Sequence, residues 1–192
     1  MPNLLIIIAS TRPGRVGLPI GRWFEQRARD HGGFDVTVAD LAEWRLPFMD
    51  EPNHPRLRTY TKPHTRRWSE AVDAADAYVF VMPEYNHGVS APLKNAIDYL
   101  HNEWIGKPVG FVSYGGIAAG TRAVQMVKQI VVSVKMVPLN DAVQIPFVKT
   151  AFDDDGAFAP GEIVEQSATV LLDELVRVEA ATRSLRAATP AG

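Results

Sequence analysis

The chain alternates between short, continuous apolar stretches and longer segments with helical periodicity. Residues 4–9 are aliphatic throughout, the pattern of a strand buried on both faces of a parallel sheet. Residues 77–82 are equally apolar, which predicts a second strand of this kind. The full set of predicted strands is 4–9, 34–41, 77–82, 107–113 and an interrupted fifth made of 134–139 and 142–146.

Between these strands, apolar residues recur at the spacing of one helix face. Ile20, Phe24 and Ala28 show it first, and Pro19 falls in the first turn, where proline is tolerated. The predicted helices are 17–30, 64–74, 90–100, 120–132 and 162–185. Because strands and helices alternate along the chain, we predict one α/β domain with a parallel sheet and helices on both faces.

Two segments lack either pattern. Residues 42–62 contain prolines 47, 52 and 55 and are predicted to be irregular. An irregular segment of this length within a compact domain is usually functional or disordered, so we expect a substrate rim or a subunit contact there. Residues 187–192 are predicted to be a disordered tail.

Composition narrows the class of protein. The 192 residues are 46% hydrophobic, enough for one domain with a substantial core. The net charge is −2 and the basic residues are scattered, so we expect no nucleic-acid partner. Cysteine is absent, which excludes disulfides, zinc–thiolate sites and cysteine nucleophiles. The first residues show neither a basic leader nor a long apolar run, so we expect a soluble cytoplasmic protein without membrane contact.

The first predicted strand runs into a loop suited to an anion. Ser10 and Thr11 supply hydroxyls, Arg12 and Arg15 supply guanidiniums, and the following helix supplies its positive N-terminus. The spacings of the dinucleotide fingerprint and of the Walker A loop are both absent. The features together favour a terminal phosphate, although a solvated basic turn remains the alternative for this loop taken alone.

Two more loops leave strands at the same predicted sheet edge, where ligands bind in open α/β sheets. In "PEYNHG", Tyr85 and Asn86 could meet a flat ring, although an ordinary turn with a capping Asn is the alternative. In "SYGGIAAG", Gly115 and Gly116 let backbone N–H groups approach a planar ligand. A phosphate site beside two loops that can contact a flat ligand indicates a mononucleotide with a planar group, and flavin mononucleotide (FMN) is the candidate.

The segments "STRPGR", "PEYNHGVSAPLKNAIDYL" and "SYGGIAAGTRAVQ" together resemble the NADPH-dependent FMN reductase family of flavodoxin-like proteins, which includes quinone reductases. The resemblance covers residues 4 to about 147 and implies a sheet of order 2-1-3-4-5. It departs from the family pattern at Ala9, where the family usually has glycine. The resemblance implies that the FMN phosphate is bound by Ser10, Arg12, Arg15 and the amides of Val16 and Gly17, and that the isoalloxazine lies between Pro83, Glu84, Tyr85, Asn86 and His87 on one side and Ser113, Tyr114, Gly115 and Gly116 on the other.

The resemblance also implies the reaction and the assembly. Hydride would pass from NADPH or NADH to FMN, and electrons would then pass to a flavin, quinone or other small acceptor in ping-pong turnover. Amides of the Gly115–Gly116 turn are expected to stabilise charge at N1 and O2 of the flavin, and no side chain is required as acid or base. A homodimer or homotetramer is expected. The alternatives are a flavodoxin-like electron carrier, usually more acidic than this chain, and a sensor with little turnover.

No metal site is expected. His54 lies in the irregular segment and His64 follows it closely, but they show no recognised ligand spacing. The segment "FDDDGAFAPGE" resembles a calcium loop, but the first position of that loop would be Ala151. His87 lies within the second loop, and its role is left open between lining the substrate face and packing.

Overall fold

One parallel sheet organises the molecule. The computed structural model describes residues 1–187, except the side chains of residues 185 and 187. Its five strands are ordered β2-β1-β3-β4-β5, which confirms the flavodoxin-like order expected from the resemblance. The strands are β1 Asn3–Ile8, β2 Asp35–Asp40, β3 Ala77–Pro83, β4 Pro108–Tyr114 and β5 Val137–Ile145.

Helices cover both faces of the sheet, as the alternation predicts. They are α1 Gly17–His31, α2 Leu41–Trp44, α3 Pro63–Asp73, α4 Ala91–Asp98, α5 Thr121–Ser133 and α6 Glu162–Ala187, with 3-10 turns at Pro55–Leu57, Asn102–Trp104 and Val148–Ala151. Successive side chains of a strand point to opposite faces. Accordingly Leu4 and Ile6 pack with α1 and α6, whereas Leu5 and Ile7 pack with α3, α4 and α5. Both faces of the central strands are therefore dry, which explains their unbroken apolar sequences.

The prediction of an interrupted fifth strand is wrong. The strand is continuous from Val137 to Ile145, and a register shift opposite Val109 and Phe111 accommodates the polar residues at its centre. Residues 134–136 lie outside it, because Lys135 adopts the left-handed conformation (φ 62°) that ends α5. The apolar residue Met136 is buried there without belonging to a strand.

The segment 42–62 is more ordered than its sequence predicts. It begins within the short helix α2 and contains the 3-10 turn Pro55–Leu57. The Glu51 carboxylate accepts hydrogen bonds from the Thr61 N–H and hydroxyl and from the Lys62 N–H. Burial alone would raise the pKa of Glu51, but these donors lower it from 4.5 to about 2. The conformation of this segment therefore depends on side-chain contacts that a local sequence pattern does not reveal.

Aromatic residues attach the same segment to the core. Trp44 packs edge-to-face on the fully buried Trp68, with ring centroids 5.0 Å apart, and the Tyr60 hydroxyl donates to Glu103 at 2.8 Å. Phe48, by contrast, is exposed. Among the described helices, none has the length and apolar character needed to cross a membrane. The predicted tail lies, from residue 188 onward, outside the described residues.

Candidate functional site

The loops after β1, β3 and β4 meet at the carboxyl edge of the sheet. Pro83 and Tyr114 are paired in register at the ends of β3 and β4, and the Glu84 N–H donates to the Tyr114 carbonyl at 3.1 Å. A cleft of about 120 Å³ opens between the loops. It is lined by Ser10, Arg12, Arg15, Val16, Pro83, Glu84, Tyr85, Tyr114, Gly115, Val148 and Lys149. The last two residues, which follow β5, were not predicted, because nothing in their sequence distinguishes them from an ordinary turn.

The N-terminus of α1 faces this cleft without a capping side chain. Val16 is the N-cap residue, no side chain among residues 1–187 caps the first turn, and that turn contains no acidic residue. The first N–H groups of a helix have no partner within the helix and carry the positive end of its dipole. Such an end binds a phosphate or another anion without further adaptation.

Tyr114 supplies a second unpaired donor beside the helix end. Its hydroxyl is buried and has no hydrogen-bond partner within the described part of the chain. A Cβ atom placed on Gly17 would lie only 2.3 Å from this oxygen and 3.2 Å from the Ser10 Cβ, so glycine is what allows the tyrosine to approach α1. Burial raises the pKa of Tyr114 well above its ordinary value, which keeps the phenol protonated as a donor. The helix end and the phenol together supply donors that could hold a phosphate group.

Ser10 and Arg12 lie on the same loop in different environments. The Ser10 hydroxyl is buried and lies 3.0 Å from the Tyr85 hydroxyl, which joins the loops after β1 and β3. Arg12 is exposed, and its guanidinium forms no ion pair or hydrogen bond with any residue from 1 to 187. Its positive charge is therefore available to an anion in the cleft.

Arg15 was predicted to contact the phosphate, but its guanidinium is engaged elsewhere. It forms a two-pronged ion pair with Asp40 and also donates to the Ser10 carbonyl. The hydrogen bond with Asp40 raises the pKa of Arg15 further. Asp40 was missed as a site residue. Its position offered a signal, because an acid that ends β2 lies beside the loop after β1 in a 2-1-3-4-5 sheet.

The loop after β3 is a tight hairpin turn. The Tyr85 N–H donates to the Gly88 carbonyl at 3.2 Å, and the Gly88 N–H donates back at 2.9 Å. The two central residues, Asn86 and His87, have φ values of 49° and 66°, the left-handed pair that a type I′ turn requires. The turn holds the Tyr85 ring half-exposed at the cleft.

Glu84 fixes this loop to helix α5. Its buried carboxylate accepts from the Arg122 Nε at 2.6 Å and from the backbone N–H groups of Arg122 and Ala123 at 3.1 and 3.4 Å. Burial would raise the pKa of Glu84, but these contacts hold it below its ordinary value. The carboxylate thus caps α5, and Glu84 also belongs to the lining of the cleft.

In the loop after β4, two predicted cofactor contacts serve the loop itself. The Ser113 side chain is fully buried and its hydroxyl donates to the Ala119 carbonyl at 2.8 Å. The Gly115 N–H donates to the Ile145 carbonyl at 3.2 Å. The N–H groups of residues 116, 117 and 118 have no partner within the described residues. The donors available to a ligand therefore begin at Gly116, one residue later than predicted.

A larger cleft of about 460 Å³ lies on the other side of the loop after β1. Its walls are mostly apolar, with an exposed arginine and a threonine at the margin, which is the usual character of a small-molecule site. It is lined by Thr11, Leu41, Ala42, Arg45, Leu46, Pro47, Phe48, Ala91, Pro92 and Asn95. For a metal, no group of three or more potential ligands occurs within the described residues.

Residues 2–150 match the family model described as NADPH-dependent FMN reductase. The chain is 39% identical over 149 residues to an NAD(P)H-dependent FMN reductase of Schizosaccharomyces pombe, covering 76% of this chain and 74% of the relative. It is 33% identical over 142 residues to an NADPH:quinone oxidoreductase of Arabidopsis thaliana, covering 69% and 71%. Among solved structures, FerB, a flavoenzyme NAD(P)H:(acceptor) oxidoreductase of Paracoccus denitrificans, has a TM-score of 0.76 at 19% identity, covering 95% and 99% of the two chains, a similarity of fold.

Proposed function

Since this chain belongs to the NADPH-dependent FMN reductase family, we propose that it transfers hydride from a pyridine nucleotide to FMN bound at the carboxyl edge of the sheet, and electrons from there to a small acceptor. FMN is the cofactor and NADPH or NADH the co-substrate of this oxidoreductase. The acceptor class we propose is a flavin or a quinone, as the names of its relatives suggest.

The observation that carries the FMN site is the uncapped start of α1 beside the unpaired Tyr114 hydroxyl. The first amides of α1 and this phenol would donate to phosphate oxygens, and Arg12 would supply the compensating charge. Ser10, held by Tyr85, would complete the cradle. Ala9, in place of the usual glycine, is fully buried, and its methyl group belongs to the apolar cluster that packs against α3, α4 and α5.

The flat part of the cofactor would lie between the Tyr85–Gly88 turn and residues 116–118. Bound FMN supplies the redox chemistry, since its N5 accepts hydride and its reduced form gives electrons to the acceptor. The N–H groups of residues 116–118, which have no partner within the described residues, would donate to the edge of the ring, where negative charge develops. No ionisable side chain is needed for the transfer itself.

Nucleotide and acceptor would use one open face in turn. The 460 Å³ cleft adjoins the loop after β1 at Thr11, and its apolar walls could pack against the ring of a substrate. This supports residues 41–48 as the rim for these substrates. A shared face requires that the oxidised nucleotide leaves before the acceptor enters, so we propose ping-pong turnover.

A dimer or tetramer is also proposed. The side chains of Ile117 and Phe147 are 79% and 56% exposed beside the cleft. The two segments that carry them are joined by a hydrogen bond from the Phe147 N–H to the Gly116 carbonyl. Burial of these side chains against a second copy would stabilise the assembly. Light scattering coupled to size-exclusion chromatography tests it, and a monomer at micromolar concentration would contradict it.

Spectroscopy tests the enzymatic proposal. The protein reconstituted with FMN should be yellow, should bleach anaerobically with NADPH or NADH, and should regain its colour with a quinone or free FMN. Initial rates should give parallel double-reciprocal lines. Intersecting lines would contradict ping-pong turnover, FMN binding without bleaching would favour an electron carrier, and failure to bind FMN would contradict the function altogether.

A further inference from the structure

Arg15 and Asp40 form an ion pair, largely shielded from solvent, between the loop after β1 and the end of β2. We propose that Arg15 does not contact the FMN phosphate and that Asp40, through Arg15, is a positioning residue that holds the loop 10–17 in its binding shape. This inference rests on the proposed FMN site and identifies which of its two arginines carries the charge for the phosphate.

The contacts of Arg15 close the loop upon itself. One terminal nitrogen donates to the Ser10 carbonyl at 2.7 Å and to Asp40 Oδ1 at 2.6 Å, and the other donates to Asp40 Oδ2 at 2.5 Å. Ser10 and Arg15 lie at opposite ends of the turn, so one guanidinium ties both ends to the neighbouring strand. The two side chains are only 14% and 6% exposed, and water therefore competes weakly with these bonds.

Asp40 is itself held in place from the other side. It is the last residue of β2 and is paired in register with Ile8, the last residue of β1. Its Oδ1 also accepts from the Ala42 N–H at 3.0 Å, which caps helix α2. The carboxylate is thus held in position by β2 and by the start of α2, and its ion pair with Arg15 in turn restrains the loop.

Charge separates the roles of the two arginines. The Arg15–Asp40 pair has no net charge, and a phosphate brought to Arg15 would also meet the Asp40 carboxylate. Arg12 is exposed and unpaired within residues 1–187. The structure therefore assigns the charge for the phosphate to Arg12 and the α1 N-terminus, and the ordering of the loop to Arg15 and Asp40.

The substitutions Arg12→Ala, Arg15→Ala, Arg15→Lys and Asp40→Asn separate these roles, with FMN dissociation constants measured by flavin fluorescence. Arg12→Ala should weaken FMN binding roughly 10- to 150-fold, the loss of one charge-assisted contact. Asp40→Asn and Arg15→Ala should each weaken it on the order of tenfold through loss of preorganisation, and combining them should add little. Asp40→Asn combined with Arg12→Ala should be additive.

Arg15→Lys is the discriminating variant. Lysine keeps the positive charge and would still serve a phosphate, but it cannot form the two-pronged pair with a carboxylate. We expect it to bind FMN nearly as weakly as Arg15→Ala, and to show faster hydrogen exchange of amides 10–17. It also decides the matter if Asp40→Asn does not fold.

Near-wild-type affinity of Arg15→Lys, or unchanged or tighter binding by Asp40→Asn, would overturn the inference while leaving the proposed function intact. Wild-type protein that binds no FMN would instead refute the proposed function. The two failures are therefore distinguishable in one titration series.

Discussion

Replacement of Tyr114 by phenylalanine should have opposite effects on the cofactor-free protein and on FMN binding. The buried hydroxyl has no partner in the described structure, and an unsatisfied buried polar group costs about 1–3 kcal/mol. Tyr114→Phe removes that cost and should raise the free energy of unfolding of the cofactor-free protein by up to about this amount. The same hydroxyl would donate to the phosphate, a charge-assisted bond of about 1.5–3 kcal/mol, so FMN affinity should fall roughly 10- to 150-fold.

Urea denaturation of the cofactor-free protein and fluorescence titration with FMN measure the two quantities separately. Tyr78→Phe is the matched control, because the equally buried Tyr78 hydroxyl donates to the Val72 and Glu103 carbonyls at 2.8 and 3.1 Å, away from the cleft. It should lower stability and leave FMN affinity unchanged. Tyr114→Phe protein with unaltered FMN affinity would refute the assignment of the phenol to the phosphate.

Three further predictions concern Gly17, Glu103 and Glu51. Gly17→Ala should lower both thermal stability and FMN affinity, because its Cβ would lie 2.3 Å from the Tyr114 hydroxyl; Tyr114→Phe should restore part of the stability, and no restoration would contradict the clash. Glu103→Ala should lower the free energy of unfolding by about 1–3 kcal/mol for each buried donor left without an acceptor, and should not change FMN affinity, since the fully buried carboxylate accepts from the Tyr60 and Ser69 hydroxyls and does not line the cleft. The Glu51 pKa is lowered from 4.5 to about 2 on folding, so the stability that the ionised carboxylate contributes is present above pH 4.5 and is lost as the pH falls toward 2. The free energies of unfolding of wild type and Glu51→Gln should therefore converge over that range, and a difference that does not change with pH would contradict the shift.

The architecture was predictable because it depends on local pattern. Central strands buried on both faces require unbroken apolar sequences, and β3, buried at all seven positions, is the clearest example. The order of strands came from resemblance to a family and was confirmed. The fifth strand was mispredicted, because the apolar character of Val134 and Met136 comes from packing at the end of α5 rather than from pairing in the sheet.

The meeting of three loops at one sheet edge was predictable from the sequence, but the hydrogen-bond partners of their side chains were not. The alternation of strands and helices predicts that the loops after β1, β3 and β4 lie at one edge of the sheet, where the structure has them. It could not show that Arg15 turns to Asp40, that Glu84 turns to α5, or that the Ser113 hydroxyl is used within its own loop. Each of these side chains has several possible partners in the sequence, and only the folded structure determines which one it contacts.

Glu84 has a consequence for how the site can change over time. It belongs to the loop after β3, yet it caps the helix that follows the loop after β4. The loops after β3 and β4, which form two walls of the cleft, are therefore linked through one carboxylate. We expect substitutions on the rim formed by α2 and residues 45–48 to alter the choice of acceptor without disturbing this link.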